Sequence, residues 1–71
     1  MQDWRVIVGN NIRKLRIDAG LTQEELAFES HIDLTYLGGI ERGRRNPSLL
    51  VLVRISESLG VKLIKLIEID K

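Results

Sequence analysis

No cysteine occurs anywhere in the 71 residues. Its absence excludes a disulfide framework, a thiolate metal site and a catalytic thiol, and it leaves the compartment unreadable from redox chemistry. The single histidine, His31, has no second histidine and no cysteine with which to share a metal, so it reads as a turn residue and no metal site is expected. Long hydrophobic runs are also missing. The longest, Leu49 to Val53, is far too short to cross a bilayer. The stretch MQDWRVIVGNNIRK lacks a positive segment followed by an apolar core and a small-residue cleavage site. It does not look like a secretory leader, and a cytoplasmic location is expected.

Neither charge sign dominates. Eleven Lys and Arg against 10 Asp and Glu give a net charge of +1, short of the strongly basic footprint of many nucleic-acid-binding domains. The distribution says more than the total, because Arg42, Arg44 and Arg45 crowd one segment while Glu24, Glu25 and Glu29 sit together on another. Motifs for catalysis are absent too: there is no phosphate-cradling glycine loop, no evident carboxylate pair and no nucleophile beside a base. Ser30 next to His31 is a turn, so no enzyme activity and no cofactor are expected.

What is present is enough apolar residue, 44%, with 30% charge, for one soluble globular domain spanning 1–71. A domain this small has thin stability, which a dimer would relieve. No internal repeat, low-complexity linker or sustained period-two alternation breaks it up. Val8, Ile12, Leu15 and Ala19 recur at helical spacing between a cap at Asp3 and a stop at Gly20. Thr22 and Glu25 have capping-box spacing, predicting a second helix over 23–29 that buries Leu26 and Ala27. Asp33 caps a third helix with Tyr36 or Leu37 and Ile40 inward, and Gly43 ends it in a left-handed turn. Asn46 and Pro47 break the chain. Ser48 caps a fourth helix with Leu49, Leu52, Ile55 and Leu59 on one face, which Gly60 stops, and Leu63, Leu66 and Ile67 predict a fifth. The predicted fold is all-α.

Helices two and three, separated only by residues 30–32, have the helix-turn-helix layout, in which the second helix enters the major groove by its amino-terminal end. With Leu37 and Ile40 inward, Leu34, Thr35, Gly38 and Gly39 face outward and would meet the bases.

The segments LTQEELA, TYLGGIERG and RNPSL, in this order and spacing, resemble the Cro/repressor-type (XRE-like) helix-turn-helix family. The resemblance runs from about Ile12 to Leu66 and implies a five-helix, lambda-repressor-like DNA-binding domain, with the helix-turn-helix at about 22–42 and a dimerisation region at about 48–70. Within that family, IDLTYLGGIERGRRN is most similar to the small controller proteins of restriction-modification systems, stand-alone dimers that regulate their own gene and the endonuclease gene.

The resemblance implies that Gln23, at the start of helix two, holds a DNA phosphate, with Thr22 beside it, and that Arg16 and Glu41 form a salt bridge fixing the angle of the reading helix. Arg16 is also a candidate for the DNA backbone, as are Tyr36 and the loop residues Arg42, Arg44, Arg45 and Asn46, which match positions that touch phosphates or the minor groove. Arg13 and Lys14 read as ordinary surface charges.

Three departures from the family pattern stand out. His31 occupies a turn position that is commonly glycine, at some cost if the backbone there needs a positive φ. Leu34 stands where relatives often carry arginine, lysine or glutamine, and Gly38 and Gly39 replace side chains that could reach base edges. Each glycine costs about 1 kcal/mol against alanine inside a helix, so the pair should loosen the reading helix unless DNA or packing holds it. With so few side chains able to reach base edges, direct hydrogen-bond readout is expected to be sparse. Leu34 would pack on a thymine methyl, Thr35 would donate to a base or phosphate, and the glycines would let the backbone approach the groove. Lastly, the carboxyl-terminal half is unusually apolar. Leu50, Val53, Leu63, Ile64 and Ile67 exceed what one small core can bury and mark a homodimer interface.

The expected function is therefore a sequence-specific transcription regulator acting as a homodimer on a pseudo-palindromic operator in double-stranded DNA. RNA polymerase is a candidate further partner, and no membrane or small-molecule effector is indicated. The competing reading is a protein-interaction module, antitoxin-like or adaptor, that keeps the fold with weak DNA reading. Leu34, Gly38 and Gly39 favour that alternative, whereas Gln23 and the arginine cluster favour DNA.

Overall fold

The computed structural model describes residues 2–69 and contains, among them, five α-helices and no strand. Asp70, the last residue of the expected dimerisation region, lies outside the described residues. Helix α1 spans Trp4–Asp18, α2 Gln23–Ser30, α3 Leu34–Glu41, α4 Leu49–Leu59 and α5 Ile64–Ile67. No described helix is long and apolar enough to cross a membrane.

Each of the first four helices starts where a short polar side chain can accept from the first turn. Asp3, Thr22, Asp33 and Ser48 accept from the backbone N–H of Arg5, Glu25, Tyr36 and Val51 respectively. At Thr22 the capping box is complete, because Glu25 Oε1 accepts from the Thr22 N–H at 2.9 Å. Asp3 also accepts from the Arg5 side chain, a hydrogen bond that holds its carboxyl below its ordinary pKa.

The same four helices also end alike. Gly20, His31, Gly43 and Gly60 take positive φ, and the next residue donates back across the turn: Leu21 to Arg16, Ile32 to Ala27, Arg44 to Gly39 and Val61 to Ser56. This paired 6→1 and 5→2 pattern is the Schellman ending, which glycine adopts without strain. His31, with φ 58°, is the one non-glycine residue among them.

The core takes a residue or two from every helix. Val8 and Ile12 of α1 meet Leu26 and Ala27 of α2, Leu37 and Ile40 of α3, Ile55 of α4 and Leu66 of α5. Helix α1 packs against α3 and α5, and α2 against α3 and α4. Two expected inward positions lie elsewhere. Ala19 is the exposed cap residue closing α1, one step past its last helical turn. Leu49 is 63% exposed, because it opens α4 and projects from the first turn, before Leu52, Ile55 and Ser56 reach the neighbouring helices. Ser56 tolerates burial by donating its hydroxyl to the Val53 carbonyl at 2.8 Å.

Three residues that carry no motif fix the arrangement. Gly9 lies where α1 crosses α3, and a Cβ there would overlap the Ile40 carbonyl oxygen and stand 3.0 Å from that of Glu41. Asn11 donates to the carbonyls of Leu66 and Glu68, at 2.9 and 2.8 Å, and so fastens the single turn of α5 onto α1. Arg54 of α4 donates to the Ser30 carbonyl at 3.0 Å, where Ser30 also meets Ser58, so that α4 braces the turn between α2 and α3.

Candidate nucleic-acid interface

The orientation of α3 is set from behind by a buried ion pair. Arg16 donates through Nε to Glu41 Oε2 at 2.7 Å and through Nη2 to Oε1 at 3.0 Å. The side chains are only 12% and 2% exposed, so this is a buried fork and not a surface pair. The third arm, Nη1, donates to the Leu21 carbonyl at 2.9 Å, between α1 and α2. With all three nitrogens engaged on protein acceptors and the side chain 12% exposed, Arg16 braces α3 against α1.

Gln23 joins the same network, donating to Glu41 Oε1 at 2.9 Å. Its amide keeps one hydrogen, and the N–H groups of Gln23 and Glu24 in the first turn have no intrahelical acceptor. Thr22 is exposed, its backbone and oxygen engaged in the capping box, and its hydroxyl proton can still donate outward. The amino terminus of α2 therefore presents a small set of donors beside α3, as a phosphate contact requires.

On α3, Leu34 and Thr35 are exposed and Tyr36 is half-buried against the core. The expectation for Gly38 and Gly39 needs correcting. Both lie on the outward stripe, yet both are buried, because arginine side chains cover them. A Cβ on Gly38 would stand 3.1 Å from Arg42 Nη1, and one on Gly39 would stand 2.8 Å from Cγ and 3.1 Å from Nε of Arg45. Arg45 also sits near the Tyr36 ring, its guanidinium carbon 5.9 Å from the centroid. In the free chain these two arginine side chains lie over the glycine backbone. The outward surface of α3 consists of Leu34, Thr35 and two arginine side chains from beyond its end.

Two of the loop residues behave differently. Arg44 is exposed, while Asn46 lines a depression with Trp4, Arg5 and Pro47 at the start of α1. The apolar residues assigned to a dimer interface divide as well. Leu50 (70%) and Ile64 (57%) are open to solvent and Ile67 is exposed, but Val53 is half-buried and Leu63 packs on the core.

A reading helix braced by a buried ion pair, with cations along its outer face and donors at the neighbouring helix start, defines a helix-turn-helix domain built for a nucleic-acid backbone and groove. The chain belongs to the helix-turn-helix family, which it matches over residues 12–66, and is a DNA-binding transcriptional regulator of the XRE type. It is similar to the uncharacterized HTH-type transcriptional regulator y4dJ of Sinorhizobium fredii, 43% identical over 65 residues that cover 92% of this chain and 84% of the relative. Control protein C.BamHI of Bacillus amyloliquefaciens is 42% identical over 59 residues, 82% and 73% of the two chains. Among solved structures, the restriction-modification controller protein C.AhdI from Aeromonas hydrophila superposes with a TM-score of 0.85 at 42% identity, over 87% of this chain and 94% of that one.

Proposed function

We propose that the protein acts in the cytoplasm as a homodimer on a pseudo-palindromic operator, controlling a restriction-modification system as the controller protein C.AhdI is named for doing. Each subunit lays α3 in a major groove, with half-sites about 34 to 36 Å apart. Leu34 and Thr35 meet base edges, Thr22 and Gln23 hold a phosphate at the start of α2, and Arg44 reaches the backbone. Leu50, Ile64 and Ile67, exposed on adjoining helices, form the two-fold contact with Val53 and Leu63 at its inner edge. RNA polymerase is the partner through which such a regulator would act on its promoters.

The observation that carries this reading is the outer face of α3, where Arg42 and Arg45 are held beside Leu34 and Thr35. Titrating a labelled random-sequence duplex at increasing salt tests it. A dimer with roughly 6 to 10 phosphate contacts loses about 10³ to 10⁵ in affinity between 50 and 200 mM salt. Salt-insensitive binding, or none, would favour the protein-interaction module. Sedimentation of a monomer at tens of micromolar would overturn the dimer.

A further inference from the structure

We infer that Gly39 is a specificity-determining position because it seats Arg45 on the reading helix, so that Arg45 reads a guanine in the major groove instead of gripping a phosphate. This rests on the proposed placement of α3 in that groove. Three observations place Arg45 there. The Schellman ending of α3, with Gly43 at φ 75° and Arg44 N–H donating to the Gly39 carbonyl at 2.9 Å, reverses the chain just before Arg45. The aliphatic stem of Arg45 then lies against Gly39 so closely that any Cβ would stand 2.8 Å from its Cγ. The Tyr36 ring, one turn earlier on the helix, stands beside the guanidinium at 5.9 Å. Arg42 over Gly38 repeats the arrangement one row away, but there a Cβ would meet only the tip of the side chain.

The chemical consequence follows from what a helix in a groove needs. The commonest specific contact is a guanidinium donating two parallel hydrogen bonds to guanine O6 and N7. Here α3 carries no arginine within its own span, Leu34–Glu41, and Leu34 can supply only an apolar contact. A glycine without a Cβ lets a long side chain from the following turn occupy the space of the missing helical one. Holding that side chain against Tyr36 before DNA arrives reduces the ordering cost of binding.

The test is selection of sites from a random duplex library, read by sequencing, for the parent chain and for Gly39→Ala, Arg45→Ala, the two combined, and Arg44→Ala. Gly39 has an ordinary helical backbone and alanine is the better helix former, so Gly39→Ala keeps the fold, as thermal denaturation of each variant checks. The parent should select a guanine in each half-site. Arg45→Ala should lose that preference by roughly 5- to 150-fold per half-site, Gly39→Ala should weaken it at the same base, and the combined variant should be no worse than Arg45→Ala alone. Arg44→Ala should keep the motif and bind all sites evenly more weakly, with a salt slope reduced by about one per subunit. If Arg45→Ala keeps the motif and weakens all sites evenly, Arg45 is a phosphate contact and the inference fails. It also fails if Gly39→Ala leaves unchanged a motif that Arg45→Ala alters. No selected motif with the folded parent would instead overturn the proposed function itself.

Discussion

Replacing Arg16 by methionine removes the brace behind the reading helix while keeping a long apolar stem. The Glu41 carboxylate, 2% exposed, would retain only the Gln23 amide of its three donors. Removing one partner of a buried pair costs about 3–5 kcal/mol, because the other charge is left without compensation. At about 0.05–0.15 kcal/mol per residue, 71 residues carry roughly 4–11 kcal/mol in total, so the loss is about a quarter of the stability or more. Urea denaturation followed by far-UV circular dichroism should show a midpoint lower by at least about 1 M. Arg16→Met combined with Glu41→Leu removes both charges. It should recover to within about 1 kcal/mol of the parent, since apolar replacement of a buried pair is often neutral. A single variant that loses less than about 1 kcal/mol, or a double variant no better than the single, would refute the claim that this pair is buried and structural.

Other substitutions test separate links. His31→Gly relieves a left-handed residue that costs roughly 1–2 kcal/mol and should raise Tm by several degrees; an unchanged or lower Tm would show that the imidazole has a structural role. Gly9→Ala forces α1 away from the backbone carbonyls of α3 and should destabilise by the upper part of the roughly 1–3 kcal/mol range for overpacking, read as a lowered Tm; wild-type stability would contradict the close approach. Leu34→Arg should add a guanine preference to the selected site, and an unaltered motif would mean that the start of α3 does not face bases. Finally, Arg5 holds the Asp3 carboxyl below its ordinary value through their side-chain hydrogen bonds. The charged cap therefore supports the fold above the unfolded carboxyl's pKa and loses that support as pH falls through the lower folded value. An NMR titration of Asp3 with its midpoint at or above the usual aspartate range would contradict this.

Most of the fold was legible because its punctuation is local. Asp3, Thr22, Asp33 and Ser48 cap the helices they precede, and Gly20, Gly43 and Gly60 follow three helices as their left-handed ends. Helical spacing likewise picked out Ile12, Leu26, Leu37, Ile40 and Ile55 as buried. The fixings by Gly9, Asn11 and Arg54 were not legible, since each depends on which distant backbone atom a helix crossing brings near. The burial of the Arg16 and Glu41 pair belongs with them: its existence came from family resemblance, whereas its isolation from solvent came from the packing of α1 against α3. At the candidate site, helical spacing placed Gly38 and Gly39 on the outer stripe but could not show what covers them. Arg45 reaches Gly39 only because the chain turns back after Gly43, a path that no periodicity encodes.

The most direct test of a dimeric regulator reading DNA through α3 is the parent chain's own selection from a random duplex library. The expected result is a two-fold motif whose half-sites lie about one helical turn apart. A folded dimer that enriches no sequence would make α3 a surface for protein partners and not a reader of DNA.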